Sequence, residues 1–594
     1  MKRIHSFHIP VMGTGFTIDT PIKIAHYGIS SVISIVDDQL IERMREYYCQ
    51  KLQLPFDPIT EKVLDFRAKR ITAYLNLVHQ IVGNKFENLL QSLLEKKGEI
   101  EKYMDMLPAF SSLKKEYMTL LEANTPLHQL KTWLQRNLSC GSIDVNIMTK
   151  LDKENYSKDE KLPVEYNDAH AALRGFAQSE LEASLVLSAG MNPRLYNYLE
   201  QFEDFYPQPG KSNKKKIVLK VSDYRSALIQ GKYLAKKGLW VDEYRIESGL
   251  NCGGHAFATD GHLMGPILEE FKQNRKALGQ SVFSLYVEAL TSKKRYCPEE
   301  IPDVAISAQG GLGTAEEHQF LLEHYQINSV GWGSPFLLVP EATNVDPSTR
   351  KQLSKAEEKD LYLSNISPLG VPFNNLRNNS KDQEKERLIE KERPGSSCPK
   401  KYLVSNKDFT EEALCTASRH YQHLKLKKLE AQQLSPEEYR TEYDKIVEKS
   451  CICVGLGTPA LLVNGMDTRK EGEGVSVCPG PNMAYFSKVV SLRDMVRHIY
   501  GKANVIQRKD RPSLFIKELE MYVTYFKNKL QESSGNKTAK SEKYLKTFKN
   551  NLLKGIAYYQ ELFTCFGAQL ELFNPQMLVK MNRLELELQA VEIA

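Results

Sequence analysis

A chain of 594 residues is too long for one compact core and predicts two or three domains, the largest with room for a barrel of about 250 residues. Its composition, 41% hydrophobic and 26% charged, is that of an ordinary soluble protein, and the mild formal net charge of +6 predicts little. Basic clusters such as Lys214-Lys-Lys216 lack interleaved aromatic residues and indicate solvated faces rather than nucleic-acid contact. No window approaches roughly 18 uninterrupted apolar residues and the N-terminus lacks an apolar signal core, so we expect a cytoplasmic protein that does not contact membranes.

The first predicted elements form a β-turn-α unit followed by a second strand. The stretch Ile9-Pro-Val-Met-Gly-Thr-Gly15 predicts a buried strand that runs into a glycine turn, and Thr20-Pro21 supplies the N-cap and first-turn proline of a helix. A second strand follows at 29–35, and Asp37-Asp38 begins a helix that runs to Leu52. Strands that alternate with helices in this way are typical of an α/β fold.

The range 56–138 has helical periodicity throughout. An all-helical block between strands is an insertion that covers one face of the protein, and we consider a lid over a site as one role for it. A packing or dimerisation layer is the alternative, and the sequence does not separate the two.

Strands resume at helix-sized intervals after the insertion. They are predicted at 143–148, 184–189, 216–221, 244–248, 304–308 and 328–330, each followed by a turn and a helical pattern. With the first two strands they make eight, and strands that alternate with helices pair in parallel. Eight such units within residues 1–344, with one large helical insertion after the second strand, predict an α/β protein built on a (β/α)8 TIM barrel.

The pattern changes after residue 344. Residues 345–400 are polar and rich in Lys, Glu, Ser and Asn, which predicts a linker that runs over the surface. Residues 401–505 form a post-barrel segment with short apolar stretches and cysteines, and residues 506–594 are again helical. We therefore expect a mainly helical C-terminal extension after the barrel.

Two glycine turns lie where such a barrel usually binds phosphate. Functional groups of a (β/α)8 barrel lie on the loops after the strands, and the loops after strands seven and eight commonly hold phosphate. Gly310-Gly311-Leu-Gly313 follows the seventh predicted strand, and Gly331-Trp-Gly333-Ser334 follows the eighth. Free backbone N–H groups in these turns, with the Ser334 hydroxyl, would suit a phosphate dianion.

A candidate acid–base group follows the sixth predicted strand, on the same rim. Gly253-Gly254-His255 places an imidazole on a glycine turn, and an imidazole suits proton transfer because its unperturbed pKa lies near neutrality. The position of His255 after a strand and beside two phosphate-type turns favours a catalytic role over a structural one.

Several motifs occur in a family-like order along the chain. Ser248-Gly-Leu-Asn-Cys-Gly-Gly-His255 resembles a Glu-Ala-Gly-Gly-His signature, Ile306-Ser-Ala-Gln-Gly-Gly-Leu-Gly313 an Ala-Gly-Gly-Ile phosphate loop, and Val330-Gly-Trp-Gly-Ser-Pro-Phe-Leu-Leu-Val-Pro-Glu341 a Gly-Thr-Arg-Phe-Leu-Ala-x-x-Glu segment. Pro10-Val-Met-Gly13 and Asp144-Val-Asn146 resemble two further strands of the same group. The chain thus resembles the nitronate monooxygenase (2-nitropropane dioxygenase) group of FMN-dependent barrels, which includes flavin-type enoyl-acyl carrier protein reductases.

The resemblance implies that FMN lies across the barrel mouth, with its phosphate on the glycine turns and its ring near Met12, Gly13 and Asn146. Lys220 would place positive charge near the flavin, and His255 would transfer a proton as the flavin exchanges electrons. The implied cofactor-binding residues are Met12, Gly13, Asn146, Lys220, Gly253, Gly254, Gly310, Gly311, Gly313, Gly331, Gly333 and Ser334.

The resemblance leaves the reaction open. The first hypothesis is an FMN-dependent oxidoreductase that acts on a small carbanion-forming or enoyl-type substrate, with oxygen or NAD(P)H as co-substrate. Oxidation of a nitronate and reduction of an enoyl thioester are not separated, because Cys252, Gln309 and Trp332 depart from the family pattern. The second hypothesis is a non-catalytic barrel that serves as a binding or scaffold subunit, and the sequence does not decide whether the chain forms a homo-oligomer.

Five cysteines lie in the stretch after the barrel, at Cys398, Cys415, Cys451, Cys453 and Cys478. A zinc or iron–sulfur site needs three or four converging thiolates, yet no Cys-x-x-Cys pair occurs among them. Buried free thiols are the alternative, and both interpretations remain open from the sequence.

Overall fold

The computed structural model describes residues 4–95, 98–108, 111–157, 160–188, 190–251, 260–508, 510–533, 538–567 and 575–593. Eight parallel strands close into a barrel in chain order, and the eighth returns to pair with the first. Strands β1 to β8 are Phe7–Ile9, Ser30–Ser34, Ile143–Ile147, Ala183–Leu187, Lys215–Val221, Glu243–Glu247, Ala305–Gln309 and Ser329–Gly331. This closed barrel with helices between its strands confirms the predicted TIM-barrel class.

Seven of the eight predicted strands agree with the structure to within two residues at each end. The first differs, because β1 ends at Ile9 and the stretch predicted to continue it is a loop. Pro10 has no N–H to donate to a neighbouring strand, and Gly13 has φ +146°, a conformation that L-residues rarely adopt. The loop that begins at Pro10 therefore lies on the rim of the barrel.

Inside the barrel, apolar and charged side chains share the space. Val32, Val186 and Val218 form a small buried apolar cluster. Nearby, the Arg245 guanidinium is 2% exposed and donates to Glu243 at 2.8 and 3.0 Å. Inward-pointing residues of one strand alternate with outward ones, so Glu243, Arg245 and Glu247 of β6 share one face.

Helices separate the strands and flank the barrel. Up to residue 344 these α-helices are Thr20–Ile24, Asp38–Lys51, Phe66–Glu95, Glu99–Met106, Ser112–Glu122, Leu127–Asn137, Asp168–Ala177, Pro193–Tyr198, Tyr224–Ala235, Met264–Ser292 and Ala315–His324. Single 3-10 turns occur at Ala25–Tyr27, Val164–Tyr166, Leu199–Gln201, Glu203–Phe205 and Ser334–Leu338, and a two-residue hairpin pairs Tyr156–Ser157 with Glu160–Lys161.

The helical insertion packs on the outside of the barrel. Its longest helix, Phe66–Glu95, contacts the helices Asp38–Lys51 and Asp168–Ala177. A Cβ atom added at Gly175 would lie 2.7 Å from the Ala68 carbonyl oxygen, so a residue without a side chain is needed where these helices meet. The insertion thus forms a packing layer on the barrel wall.

Residues 345–400 differ from the predicted surface linker. They form a helix at Pro347–Leu353, a hairpin of β9 (Leu361–Ser364) and β10 (Phe373–Leu376), and a helix at Ser380–Glu390. Buried amides account for part of the polar composition, since Asn379 donates to Asn375 and to Asp382. Polar side chains that satisfy one another in this way can be buried without the cost of lost hydrogen bonds with water.

The remaining helices follow in two groups. The post-barrel segment contains the α-helices Arg419–Glu430, Pro436–Val447, Ile452–Gly455, Thr458–Val463 and Leu492–Ile499. One 3-10 turn, at Glu358–Asp360, precedes this segment, and another lies within it at Pro481–Tyr485. The C-terminal helices Leu514–Ser533, Ala539–Phe566 and Pro575–Gln589 pack on one another, and the second of them packs on Met264–Ser292 of the barrel. Within the described ranges, none of the helices is long and apolar enough to cross a bilayer.

Candidate functional site

A cavity of about 190 Å³ lies at the carboxyl ends of the barrel strands. Its walls include Gly13, Asn146, Lys220 and Glu247 from the strand ends and the loops that follow them. This end of the barrel is where TIM-barrel enzymes carry their active sites. The volume lies below the roughly 300 Å³ at which pockets for drug-sized ligands begin, so the cavity suits a small molecule.

A fixed carboxylate dominates the polar side of the cavity. Oε1 of Glu247 accepts hydrogen bonds from Lys220 Nζ at 3.1 Å, Asn251 Nδ2 at 2.8 Å and Gln309 Nε2 at 2.6 Å. These donors come from β5, β7 and the loop after β6, so three consecutive segments of the barrel orient one side chain. Such convergence fixes the geometry of an acid–base group before a ligand arrives.

Positive charge exceeds negative charge around the cavity. Lys150, Lys220 and Arg245 line it, whereas Glu247 is the lining carboxylate and Glu243 pairs with Arg245 behind the wall. Partial desolvation lowers the pKa of Lys150, the charge of Glu247 offsets part of this effect, and the like charge of Lys220 adds to it. The cavity therefore favours an anion or a substrate that develops negative charge.

The post-barrel segment covers the mouth of the barrel. Phe373, Tyr402 and Leu456 line the cavity from above, whereas none of the lining residues comes from the helical insertion. The Tyr402 hydroxyl donates to Asp37, which follows β2, and the buried Lys400 ammonium pairs with the same carboxylate. Of the two roles considered for residues 56–138, the lid is thus supplied instead by residues 373–456.

The insertion instead fixes the carboxylate next to the cover. Burial raises the pKa of Asp38, but the charges of Arg67 and Arg70 outweigh burial and hold that pKa below its ordinary value. The guanidinium groups lie 2.7 and 2.8 Å from the two oxygens of Asp38. The Tyr402 hydroxyl lies 3.1 Å from Asp38 as well as from Asp37 and shares its one proton between them, so the insertion, the barrel and the cover meet at this ionic network.

The glycine turn after β7 is closed by groups from its own chain. Oε2 of the fully buried Glu317 accepts the N–H of Gly313 at 2.8 Å and that of Thr314 at 3.3 Å. Arg511, from the C-terminal region, forms two hydrogen bonds with this carboxylate at 2.8 and 2.9 Å and a third with the Gly311 carbonyl oxygen at 2.9 Å. A carboxylate thus occupies the anion position that was predicted for phosphate.

The turn after β8 is covered by the post-barrel segment. Ser334 Oγ accepts the N–H of Gly480 at 2.9 Å, and a Cβ atom at Gly331 would lie 2.5 Å from Gln309. Trp332 between them is fully buried and donates to His318, away from the cavity. No residue of either glycine turn lines the cavity, and Glu317 and Gly480 bond with groups of the two turns, so the residues described do not fit the phosphate end of an FMN bound in this cavity.

The predicted site residues that the structure describes therefore divide into three sets. Gly13, Asn146 and Lys220 line the cavity, as the resemblance implies for residues beside a flavin ring. Met12 is fully buried and is not among the lining residues. The glycine-turn residues lie behind the cavity wall, at Gly310, Gly311, Gly313, Gly331, Gly333 and Ser334.

His255, Gly253 and Gly254 lie outside the described residues, as does Cys252. The flanks of the segment that carries them, the β6 loop (residues 248–264), are described on both sides. The proton-transfer role of His255 stays a prediction.

The C-terminal helices anchor both flanks of the β6 loop. The Ser248 hydroxyl donates to Glu518 Oε1 at 2.7 Å, and the Met264 N–H donates to Oε2 of the same carboxylate at 2.9 Å. The Gly265 N–H donates to the Tyr559 hydroxyl at 3.2 Å. One buried carboxylate thus fixes the separation between the two ends of the loop.

Sequence reasoning missed Glu247, Gln309 and Lys150. The signal for Glu247 was present, because a charged residue at every second position of β6 places three ionisable groups on the inner face of the barrel. Gln309 was noted only as an insertion before the glycines, and its contact with Glu247 joins residues 62 positions apart. Lys150 lies after β3 and carries no local motif.

The late cysteines gather but do not form a metal site of recognisable geometry. Within the described residues, no group of three or more His, Cys, Asp or Glu side chains could hold a metal ion. Cys398, Cys415, Cys451, Cys453 and Cys478 are buried free thiols within one cluster. Whether these cysteines bind a metal stays a prediction that the structure does not test.

Comparisons with known proteins place few limits on function. No family model matches the chain, and no curated protein matches it. Among solved structures, the enoyl reductase domain of MlnA from the macrolactin biosynthesis cluster from Bacillus amyloliquefaciens is similar at 13% sequence identity. The match covers 66% of this chain and 86% of that chain with a TM-score of 0.33, and we draw no conclusion about activity from it.

Proposed function

We propose that this chain is a TIM-barrel enzyme that transfers a proton on a small carbanion-forming substrate at the barrel mouth. The observation that carries the proposal is the Lys220–Glu247 pair, held in a cavity at the strand ends with an ammonium and a carboxylate 3.1 Å apart. An acid–base pair needs this fixed geometry, and a carbanion needs a cation beside it.

The contacts suggest separate roles for the two residues. All three donors to Glu247 that the structure describes reach Oε1, and no described donor reaches Oε2. Oε2 is therefore the oxygen that can accept a proton from a C–H acid. The ammonium groups of Lys220 and Lys150 would stabilise the resulting negative charge, and the apolar cover would exclude water from it.

A finer proposal couples the proton transfer to oxidation or reduction, as in the nitronate monooxygenase group. The sequence resemblance supports it, as do Gly13, Asn146 and Lys220 on the cavity wall. FMN would supply the electron transfer in such an enzyme, but the closed glycine turns do not fit its phosphate, so we assign no step to it. Reduction of an enoyl thioester with NAD(P)H is the alternative reaction, and His255 remains the proposed proton-transfer residue of both.

Proton transfer can be tested without any cofactor. We expect the purified protein to catalyse exchange of the C2 proton of 2-nitropropane in D2O, followed as loss of its NMR signal. Lys220→Met should slow the exchange at least about tenfold, because it removes the cation beside the carbanion. The matched control is Lys236→Met, which changes an exposed lysine at the end of a neighbouring helix. This variant should catalyse the proton exchange at the wild-type rate. Exchange by wild-type protein no faster than in buffer would reject the proposal.

The redox proposal has its own experiment. A flavin absorption band in the purified protein, or uptake of added FMN, would support it and would require the closed glycine turns to open. Rapid bleaching by NADPH without oxygen would then favour the reductase, and oxygen consumption with the 2-nitropropane anion would favour the monooxygenase. Protein that neither binds FMN nor catalyses proton exchange would be the non-catalytic binding or scaffold barrel.

A further inference from the structure

The five post-barrel cysteines form one buried cluster although they are spread over 81 positions of the chain. Their side chains are between 0% and 8% exposed, and they pack with apolar residues such as Ile452 and Val454. The cysteines are Cys398, Cys415, Cys451, Cys453 and Cys478. A single buried cysteine usually acts as a small hydrophobic residue, but five thiols in one place require a further explanation.

The sulfur atoms form a path that ends at the barrel cavity. The thiol of Cys398 interacts with those of Cys415 and Cys451, and Cys451 in turn interacts with Cys453. Cys453 lines the cavity at the barrel mouth, next to Ile452 and Leu456 of the cover. A small molecule in the cavity can thus reach one thiol directly and three more through sulfur–sulfur neighbours.

Polar groups around the path favour one thiolate within it. Hydrogen bonds from the Cys398 and Cys453 thiols, and a further one from Ser396, hold the pKa of Cys451 well below its usual range against the effect of burial. The positive charge of Lys381 adds to this stabilisation. The hydrogen bond with Cys451 and burial raise the pKa of Cys453, so the Cys451 thiolate is the group beside it that can take its proton and activate the thiol on the cavity wall.

We propose that Cys451 and Cys453 form a dithiol–disulfide couple that reduces small organic disulfides in the barrel cavity. This inference does not depend on the proton-transfer function proposed for Lys220 and Glu247. Small disulfides fit the cavity volume, and Cys453 supplies the sulfur that meets them.

The reaction has two exchange steps. Cys453 passes its proton to the Cys451 thiolate and attacks one sulfur of R–S–S–R, which breaks the S–S bond and releases R–S⁻. The Cys451 thiol gives its proton to this R–S⁻, and the resulting Cys451 thiolate attacks Cys453 in the mixed disulfide. A second R–S⁻ leaves and takes a proton from solvent. Two electrons pass from the protein to the small disulfide, and the Cys451–Cys453 disulfide remains.

Full-length protein treated with 2-hydroxyethyl disulfide tests the proposal. We expect the cluster thiols to reduce one molecule of the disulfide per chain and so to produce two molecules of 2-mercaptoethanol. Peptide mapping by mass spectrometry without reduction should then show the Cys451–Cys453 bond. Cys451→Ser removes the group that takes the Cys453 proton, so the mixed disulfide on Cys453 should form slowly and then persist, and Cys453→Ser should leave the cluster unreacted. The wild-type map gives the answer even if either variant folds poorly.

The exposed Cys565 provides the control. Cys565→Ser should remove one surface mixed disulfide and leave the release from the cluster unchanged. The proposal fails if Cys565 reacts in the wild type while all five cluster thiols stay free. It also fails if the purified protein contains zinc or iron in a fixed ratio that is released when Cys451 and Cys453 are alkylated, because the cysteines would then be metal ligands.

Discussion

Replacing Arg511 with methionine is expected to lower the free energy of unfolding by about 3–5 kcal/mol. Its guanidinium is 8% exposed and lies 2.8 Å from the fully buried carboxylate of Glu317. Without Arg511 that carboxylate would retain only backbone donors such as the Gly313 N–H, which do not neutralise its charge. The loss should appear in urea unfolding of the full-length protein as a lower midpoint.

Arg508 offers a matched control three positions earlier. Its salt bridge with Asp510 is exposed, so Arg508→Met should change the free energy of unfolding by less than about 1 kcal/mol. The double change Arg511→Met with Glu317→Gln should recover much of the lost stability, because no unpaired charge is then buried. Equal urea midpoints for the Arg511 and Arg508 variants would show that the buried pair does not stabilise the closed glycine turn.

The stability of the protein is expected to fall by about 3 kcal/mol between pH 5 and pH 8 through Glu518 alone. Burial raises the pKa of Glu518 to about 7, and hydrogen bonds from Ser248, Met264 and Tyr559 offset only part of this effect. The ordinary pKa of a glutamate, 4.5, applies in the unfolded chain. The folded state therefore binds the proton more tightly, so the contribution is complete below about pH 4.5 and is lost as the pH rises through about 7.

Glu518→Gln separates this effect from all other titrations. A glutamine amide can donate to the Ser248 hydroxyl oxygen while its carbonyl accepts the Met264 N–H, so the contacts survive without a charge. The difference in unfolding free energy between wild type and variant should change by about 3 kcal/mol from pH 5 to pH 8. Glu532→Gln, at an exposed end of the same helix, should show no such change. Parallel pH curves for wild type and Glu518→Gln would contradict the assignment.

The barrel could be predicted from the sequence because its signals are local. Most strands are short apolar runs bounded by glycine, proline or a charged turn, and the helices between strands have their own period. Even the glycine turns after β7 and β8 were located correctly, as was Lys220 at the end of β5. These features depend on residues that are neighbours in the chain.

The parts that sequence reasoning missed depend on distant contacts. The glycine pattern does not show that Arg511 will bind Glu317, a partner 194 positions away. Composition likewise does not show that the asparagines of 345–400 will bond with one another and be buried. The cover over the mouth, anchored by Lys400 on Asp37 across 363 positions, belongs to the same class of contacts.

The anchoring of the β6 loop has a consequence for protein synthesis. Its flanking residues bond with partners 270 and 294 positions later, on two C-terminal helices. The last of the eight barrel strands ends at Gly331, so all of them are translated before the two partners. The barrel can therefore assemble on the ribosome while these partners are still untranslated. At about 5–20 residues per second, a nascent chain spends ten seconds or more with a closed barrel and an unanchored rim. The site can therefore be completed only after Tyr559 has emerged.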